Sequence, residues 1–143
     1  MIREICDADY DGLMQLYTHL HEKTVLRKTP EVAAVWAGIL RDPAYHIIAA
    51  EEDGQIVSSC TCLIVPNLTH GCRPYALIEN VVTHAAYRGR GLAAACLDYA
   101  CEIARSENCY KMMLITQSKE ASTLRFYERA GYTRGRTAFV KLL

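Results

Sequence analysis

The sequence predicts an α/β fold, a single domain over residues 1–143 built on one mixed sheet of about six strands flanked by about four helices. Three observations predict it. Asp53-Gly54 between two strand-like runs is a strong hairpin signal, and so calls for an antiparallel pair. Helix-like and strand-like runs alternate through the second half of the chain, which adds parallel strands to that pair. A glycine-rich turn, Arg88-Gly89-Arg90-Gly91, joins one of those strands to the helix after it. A chain of 143 residues is long enough for a substantial core.

Each element has its own warrant. Ile2–Ile5 is a short first strand. Asp7 or Asp9 caps a helix carrying Tyr10, Leu13, Met14, Leu16, Tyr17 and Leu20, with Gly12 a mild weakness in it. Thr29-Pro30 starts a second helix, a cap residue followed by proline in the first turn. Val32, Val35, Trp36, Ile39 and Leu40 recur at helical spacing as one buried stripe, which makes Trp36 a core residue rather than a ligand-stacking one. Asp42-Pro43 ends it. Tyr45–Glu51 and Gln55–Val65 are the hairpin strands. Residues 66–74, with two prolines and a glycine, form a loop longer than a hairpin needs and a candidate for facing substrate. Tyr75–Thr83 is the central strand, and Leu92–Arg105 the helix after the turn, with Leu92, Cys96, Tyr99 and Ile103 on one face. Tyr110–Thr116 is a short apolar strand suited to burial on both faces. Ser118 caps a helix bearing Leu124, Phe126 and Tyr127, which Gly131 terminates. Thr137–Leu142 is a last strand.

Composition removes several function classes. Lys+Arg and Asp+Glu both number 16, so there is no electrostatic case for nucleic acid or an anionic membrane. No apolar run reaches the roughly 18 residues of a membrane span, and Met1–Asp7 lacks the apolar core of a signal peptide. Seven cysteines, with no C-x-x-C pair, read as reduced and mostly buried thiols of a cytoplasmic protein. The five histidines show no zinc-ligand spacing with them, so no metal is expected.

The chemistry gathers at the turn. The first N–H groups of a helix lack intrahelical partners and sit at the positive end of its dipole, so strand, glycine turn and helix together can hold a phosphate. Arg88 and Arg90 add positive charge. Gly89 to Ala94 fits the dinucleotide pattern G-x-G-x-x-A, but no acidic residue follows the next strand, where Thr116-Gln117-Ser118 stands. A dinucleotide-binding oxidoreductase is therefore the weaker alternative.

Counted from the arginine, Arg88–Ala93 is R-x-x-G-x-A, and Ile78-Glu79-Asn80-Val81-Val82 precedes it. Together these closely resemble the acyl-CoA loop of the GNAT family of N-acetyltransferases. Phe126-Tyr127-Glu128-Arg129-Ala130-Gly131-Tyr132 resembles that family's second signature, in the expected order and at the expected distance. The resemblance extends over essentially the whole chain. It implies an acetyltransferase fold in which Tyr75–Thr83 and Tyr110–Thr116 splay into a V. It implies acetyl-CoA as co-substrate, its pantetheine arm along Val81, Val82 and Thr83 and its pyrophosphate on Arg88, Gly89, Arg90, Gly91, Leu92 and Ala93. A backbone N–H near Val82 would polarise the thioester carbonyl.

The implied reaction is direct attack of an amine on a thioester, which needs a base for the ammonium and a proton for the thiolate. Glu79 matches the base position, acting directly or through water; the alternative is a carboxylate paired with Arg73. Tyr127 matches the acid position at the CoA sulfur; the alternative is a core tyrosine. Asn80 either binds substrate or satisfies backbone groups. Two departures from the family pattern stand out. Glu120-Ala121-Ser122-Thr123 lacks the asparagine that contacts CoA in many relatives, and the segment after Gly131 is short for two closing strands. The second departure means that one closing strand is lost or is completed by a partner subunit, and an exposed edge there favours a homodimer. The acceptor expected is a small-molecule amine such as an amino sugar, polyamine or amino acid, and the same segments resemble the glucosamine-6-phosphate branch. Arg27, Lys28 and Arg73 are candidates for an anionic acceptor, with solvated surface cations the favoured alternative for each. A noncatalytic acyl-CoA-binding regulator on this fold is the other alternative, disfavoured by the presence of both Glu79 and Tyr127.

Overall fold

The computed structural model describes residues 1–143. Five strands form one sheet in chain order: β1 (Ile2–Glu4), β2 (Tyr45–Glu52), β3 (Gln55–Val65), β4 (Tyr75–Thr83) and β5 (Met112–Leu114). The first four pair antiparallel and β5 joins β4 in parallel, so the sheet is mixed as predicted. Asp53 and Gly54 turn the β2–β3 hairpin at φ of 50° and 74°, the positive values that a tight hairpin turn needs.

Helices cover both faces. On one lie α1 (Tyr10–Tyr17) and α2 (Pro30–Arg41); Tyr10, Leu13, Met14 and Trp36 pack on Ile47, while Leu16 packs with Ala49, Ile56 and Val82. Trp36 is core, and its indole donates to Asp7 Oδ1 at 2.8 Å. Thr29 Oγ1 accepts from the Val32 amide and caps α2, with Pro30 in its first turn. On the other face lie α4 (Leu92–Ser106) and α5 (Ala121–Arg129), after the four-residue turn α3 (Thr69–Cys72) that links β3 to β4. Cys96, Leu97, Ala100 and Ala104 of α4 meet Ile48, Cys60, Cys62 and Ile78 of the sheet.

Several expectations change. The predicted sixth strand, Thr137–Leu142, does not form: no residue after Tyr132 makes a backbone hydrogen bond, because that segment leaves α5 without a strand beside it. β5 is shorter than predicted because β4 parts from it beyond Ile78. The buried face of α4 keeps the predicted Leu92, Cys96 and Ile103 against the core and adds Leu97, Ala100 and Ala104. Small side chains at Ala100 and Ala104 let the helix sit close on the sheet, and Tyr99 is turned outward. The α2 stripe narrows to Val32, Trp36 and Ile39, because this helix meets one small cluster; Val35 is 63% exposed. Glu120, not Ser118, is the α5 cap residue, although Ser118 Oγ still accepts from the Glu120 amide at 3.2 Å.

Candidate active site

The site begins where β4 and β5 separate. They pair only over Ala76–Ile78 against Met112–Leu114. On the other side of β4, Thr61 pairs with Glu79 and Ser59 with Val82, so Cys60 alone faces two residues, Asn80 and Val81. This is a β-bulge, and Asn80 carries it at φ 50°, a left-handed conformation that asparagine tolerates better than most residues. The extra residue bends β4 away from β5 and leaves both Glu79 and Asn80 exposed. The splayed V is therefore present, and its apex lies at Ile78–Glu79.

The phosphate turn lies at the open end of β4. Gly89 and Gly91 adopt φ of 74° and 76°. A Cβ at either would touch nothing within 4 Å, so the backbone conformation, not crowding, calls for glycine. Gly91 is the cap residue of α4 and no side chain caps that end, which leaves the first amides of the helix free for an anion. Above them is a cavity of about 760 Å³ lined by Val81, Thr83, Arg88, Gly89, Gly91, Leu92 and Ala93 of the predicted set. Ser122, Thr123 and Phe126 of α5 line it too. The α5 segment without the family asparagine thus still presents two hydroxyl-bearing residues, a substitution the motif comparison could not anticipate. Arg88 makes no ion pair; its Nε reaches only the Thr83 carbonyl at 3.4 Å.

Three members of the predicted binding set, Arg90, Val82 and Tyr127, do not line that cavity. The Arg90 guanidinium lies 4.8 Å from the centre of the Tyr87 ring and 3.5 Å from Glu52, bracing the turn from outside. The Val82 side chain is buried with Leu16 and Ala49, and its carbonyl accepts from Ser58 Oγ at 3.0 Å.

Glu79 and Tyr127 sit on opposite sides of the sheet. Ile47, Thr61 and Glu79 are successive cross-strand partners, so Glu79 projects from the face that α1 covers. No cation pairs with it, and Arg73 donates instead to the carbonyls of Asn108 and Cys109 at 3.1 and 2.9 Å. Tyr127 packs against the core under α4, with its ring 5.0 Å from Phe126 and 6.1 Å from Tyr132. Burial raises its phenol pKa, and nearby Cys60 adds to the rise. The acid and base candidates can therefore reach the slot between β4 and β5 from different sides.

Three further residues surround Glu79. Tyr17 of α1 is half-buried, and that burial pushes its phenol up to about 12; its hydroxyl faces the side chains of Thr61 and Asn80. Thr61 Oγ1 is buried with no hydrogen-bond partner. Tyr45 has its pKa raised by burial and by the Glu79 carboxylate. Only the pairing register could have gathered these residues; no linear motif contains them. Tyr17 also lines a second cavity of about 430 Å³ with Met14, Glu22, Thr24 and Arg27, roofed by a segment that the Tyr10 hydroxyl holds at Leu26 O, 2.8 Å away.

Other candidates lie outside the site. Residues 66–74 line neither cavity; His70 stacks on Tyr110 at 3.8 Å and Arg73 clamps the approach to β5. Lys28 lies over the Tyr10 ring, 3.8 Å from Asp7. Burial raises the Cys60 thiol pKa, and pushes Cys62 up to about 12 and Cys96 up to about 11, consistent with inert core thiols. No three His, Cys, Asp or Glu side chains are grouped to hold a metal. No helix is long and apolar enough to cross a membrane.

Known proteins share this fold. The chain is 35% identical over 136 residues to a glucosamine 6-phosphate N-acetyltransferase of Trypanosoma brucei brucei, covering 92% of this chain and 87% of the relative. A putative acetyltransferase from Agrobacterium tumefaciens str. C58 superposes with a TM-score of 0.93 at 40% identity, over 100% of this chain and 99% of the other. An aminoglycoside N-acetyltransferase solved with CoA shares the fold at 16% identity, with a TM-score of 0.77 over 100% of this chain and 99% of that one. Acetyl-CoA is the co-substrate that fits the free amides and open cavity above α4. The profile of the Acetyltransferase (GNAT) family matches residues 10–132, and the chain belongs to that family of N-acetyltransferases.

Proposed function

We propose that the protein transfers the acetyl group of acetyl-CoA to the amine of an amino sugar phosphate, with glucosamine 6-phosphate the leading acceptor. The observation that carries this reading is the near full-length match to the Trypanosoma enzyme of that name. The second cavity supports it: it is large enough for a monosaccharide and pairs Arg27, a partner for phosphate, with the polar side chains of Glu22, Thr24 and Tyr17.

In this reading Arg88 and the free amides of α4 bind the pyrophosphate, and Val81 and Thr83 guide the pantetheine arm into the V. Arg90 shapes the turn through Tyr87 and Glu52. A main-chain N–H near Val82 receives the carbonyl oxygen as it gains charge. The amine enters from the α1 face, where Glu79 takes its proton directly or through a water. The new C–N bond forms, the C–S bond breaks, and the CoA thiolate takes a proton from Tyr127 on the far face. Asn80 meets the acceptor beside Glu79. The chain works as a single cytoplasmic domain and as a homodimer.

The test is release of free CoA thiol with glucosamine 6-phosphate, glucosamine, spermidine and an aminoglycoside side by side. Turnover with the phosphorylated sugar should exceed that with the plain sugar by at least about tenfold, the worth of one charge-assisted contact. Equal rates for the two sugars, or turnover with spermidine alone, would remove the sugar phosphate from the reading.

A further inference from the structure

The α1 face of β3 carries an unfinished hydrogen bond. Thr61 is 1% exposed, and its Oγ1 is buried with no partner. A buried hydroxyl in that state is costly to the fold, and it keeps free lone pairs that can accept a proton. Ser59, two residues earlier on the same strand, is satisfied: its Oγ donates to Ile48 O at 2.8 Å. Thr61 lies directly across the strand pair from Glu79. The Tyr17 hydroxyl faces Thr61 and Asn80 without closing a hydrogen bond to Thr61 Oγ1. Tyr17 also lines the second cavity, so one phenol spans from that cavity to the surroundings of Glu79. Tyr45 is the other phenol beside Glu79, but it lines neither cavity.

We propose that Tyr17, oriented by Thr61, receives the amine of the acceptor and holds it against Glu79. This rests on the reading that the amine enters from the α1 face, and it deepens that reading by naming the group that aims the nitrogen. An ammonium brings only N–H donors, so its site must supply acceptors. Glu79 is one. A phenol oxygen is a second only if its own proton points away, and Thr61 Oγ1 is an acceptor free to take that hydrogen bond. Tyr17 then donates to Thr61 and turns a lone pair toward the amine. Burial pushes the Tyr17 phenol up to about 12, so it stays protonated and neither gains nor loses a proton in the reaction. Its contact strengthens as the C–N bond forms, because the attacking nitrogen gains positive charge. Thr61 never touches the acceptor and is a positioning residue.

The experiment measures thiol release by the wild type, Tyr17→Phe, Thr61→Val, Thr61→Ser and the Tyr17→Phe/Thr61→Val double variant, with a thermal melt of each. The acceptor is whichever of glucosamine 6-phosphate, glucosamine, spermidine and an aminoglycoside the wild type turns over fastest. Thr61→Val removes the unpaired hydroxyl and keeps the branched shape. Its Tm should hold or rise while kcat/KM for the acceptor falls about 10–100-fold. Thr61→Ser keeps the hydroxyl and loses a buried methyl, so its Tm should fall by roughly 2–4 °C while it recovers most of the lost rate. Activity then follows the hydroxyl and stability the methyl, a split that a packing role cannot give. Tyr17→Phe should lose at least as much as Thr61→Val. Adding Thr61→Val to it should cost less than about threefold more, because Thr61 acts through Tyr17. Thr61→Val within threefold of wild type overturns the proposal, as does Thr61→Ser no faster than Thr61→Val, or full additivity in the double variant. A wild type that acetylates none of the four amines overturns the proposed function and this role together. A wild type that prefers spermidine removes the sugar phosphate alone, since the Tyr17 role is then read with spermidine.

Discussion

Asn80 offers the sharpest test of how β4 is built. Its φ of 50° makes the bulge, and its side chain is exposed, so substitutions there change little packing. The cost should be almost wholly conformational. Alanine in a left-handed conformation should cost about 1 kcal/mol relative to asparagine and valine about 2 kcal/mol, whereas glycine should cost nothing. At about 2–4 °C per kcal/mol for a domain of this size, Asn80→Ala should lower the Tm by roughly 2–4 °C and Asn80→Val by roughly 4–8 °C. kcat should fall in the same order, because a straightened β4 closes the V and moves Glu79, whereas losing the amide contact in Asn80→Gly should show only as a higher KM for the acceptor. The assay is steady-state thiol release beside a thermal melt of each variant. If Asn80→Gly loses as much kcat as Asn80→Val while keeping its Tm, the amide side chain rather than the backbone turn sets the chemistry, and the reasoning is refuted.

Further expectations follow from the same geometry. Tyr127→Phe removes a hydroxyl with no hydrogen-bond partner, so the Tm should hold while kcat falls about 10²–10⁴-fold; a loss under threefold would return Tyr127 to the core. Acetyl-CoA or CoA at about 100 times Kd should stabilise by about 2.7 kcal/mol, a Tm rise of roughly 5–11 °C, with no rise from NAD. Arg3, bonded to Asp9 at 2.7 Å, holds that carboxyl well below the usual carboxylate range. Its contribution is therefore full above about pH 5 and lost as the pH falls through the folded-state value. The stability gap between wild type and Asp9→Asn should shrink on acidification, and a gap that widens in denaturant melts would contradict the assignment. Timed alkylation followed by mass mapping should label Cys6 and Cys72 first and Cys60, Cys62 and Cys96 only on unfolding.

How legible the site was depended on how local its signals were. Arg88–Ala93 could be read because the two positive φ glycines and the helix start lie within a few residues of one another. The hairpin at Asp53-Gly54 was legible for the same reason. The bulge was not, since it depends on which β3 residues face β4 and no local pattern records that. The same gap hid the company of Glu79: Tyr17, Tyr45 and Thr61 come from three separate elements. On α4 only Tyr99 was misplaced, because apolar side chains stand on more than one side of that helix and the packing of Leu97, Ala100 and Ala104 decides which of them face the sheet. Thr137–Leu142 has a strand's composition, but composition cannot say that the sheet leaves no strand beside it to pair with.

The opposed placement of Glu79 and Tyr127 has a consequence for how such a protein can change. Under the proposed roles the sheet acts as a partition with one slit, with acceptor chemistry on the α1 side and donor chemistry on the α4–α5 side. Residues such as Glu22, Thr24 and Arg27 can be exchanged without touching any group that handles CoA. New acceptors can then be acquired by redecorating one room while the other stays furnished for the same donor.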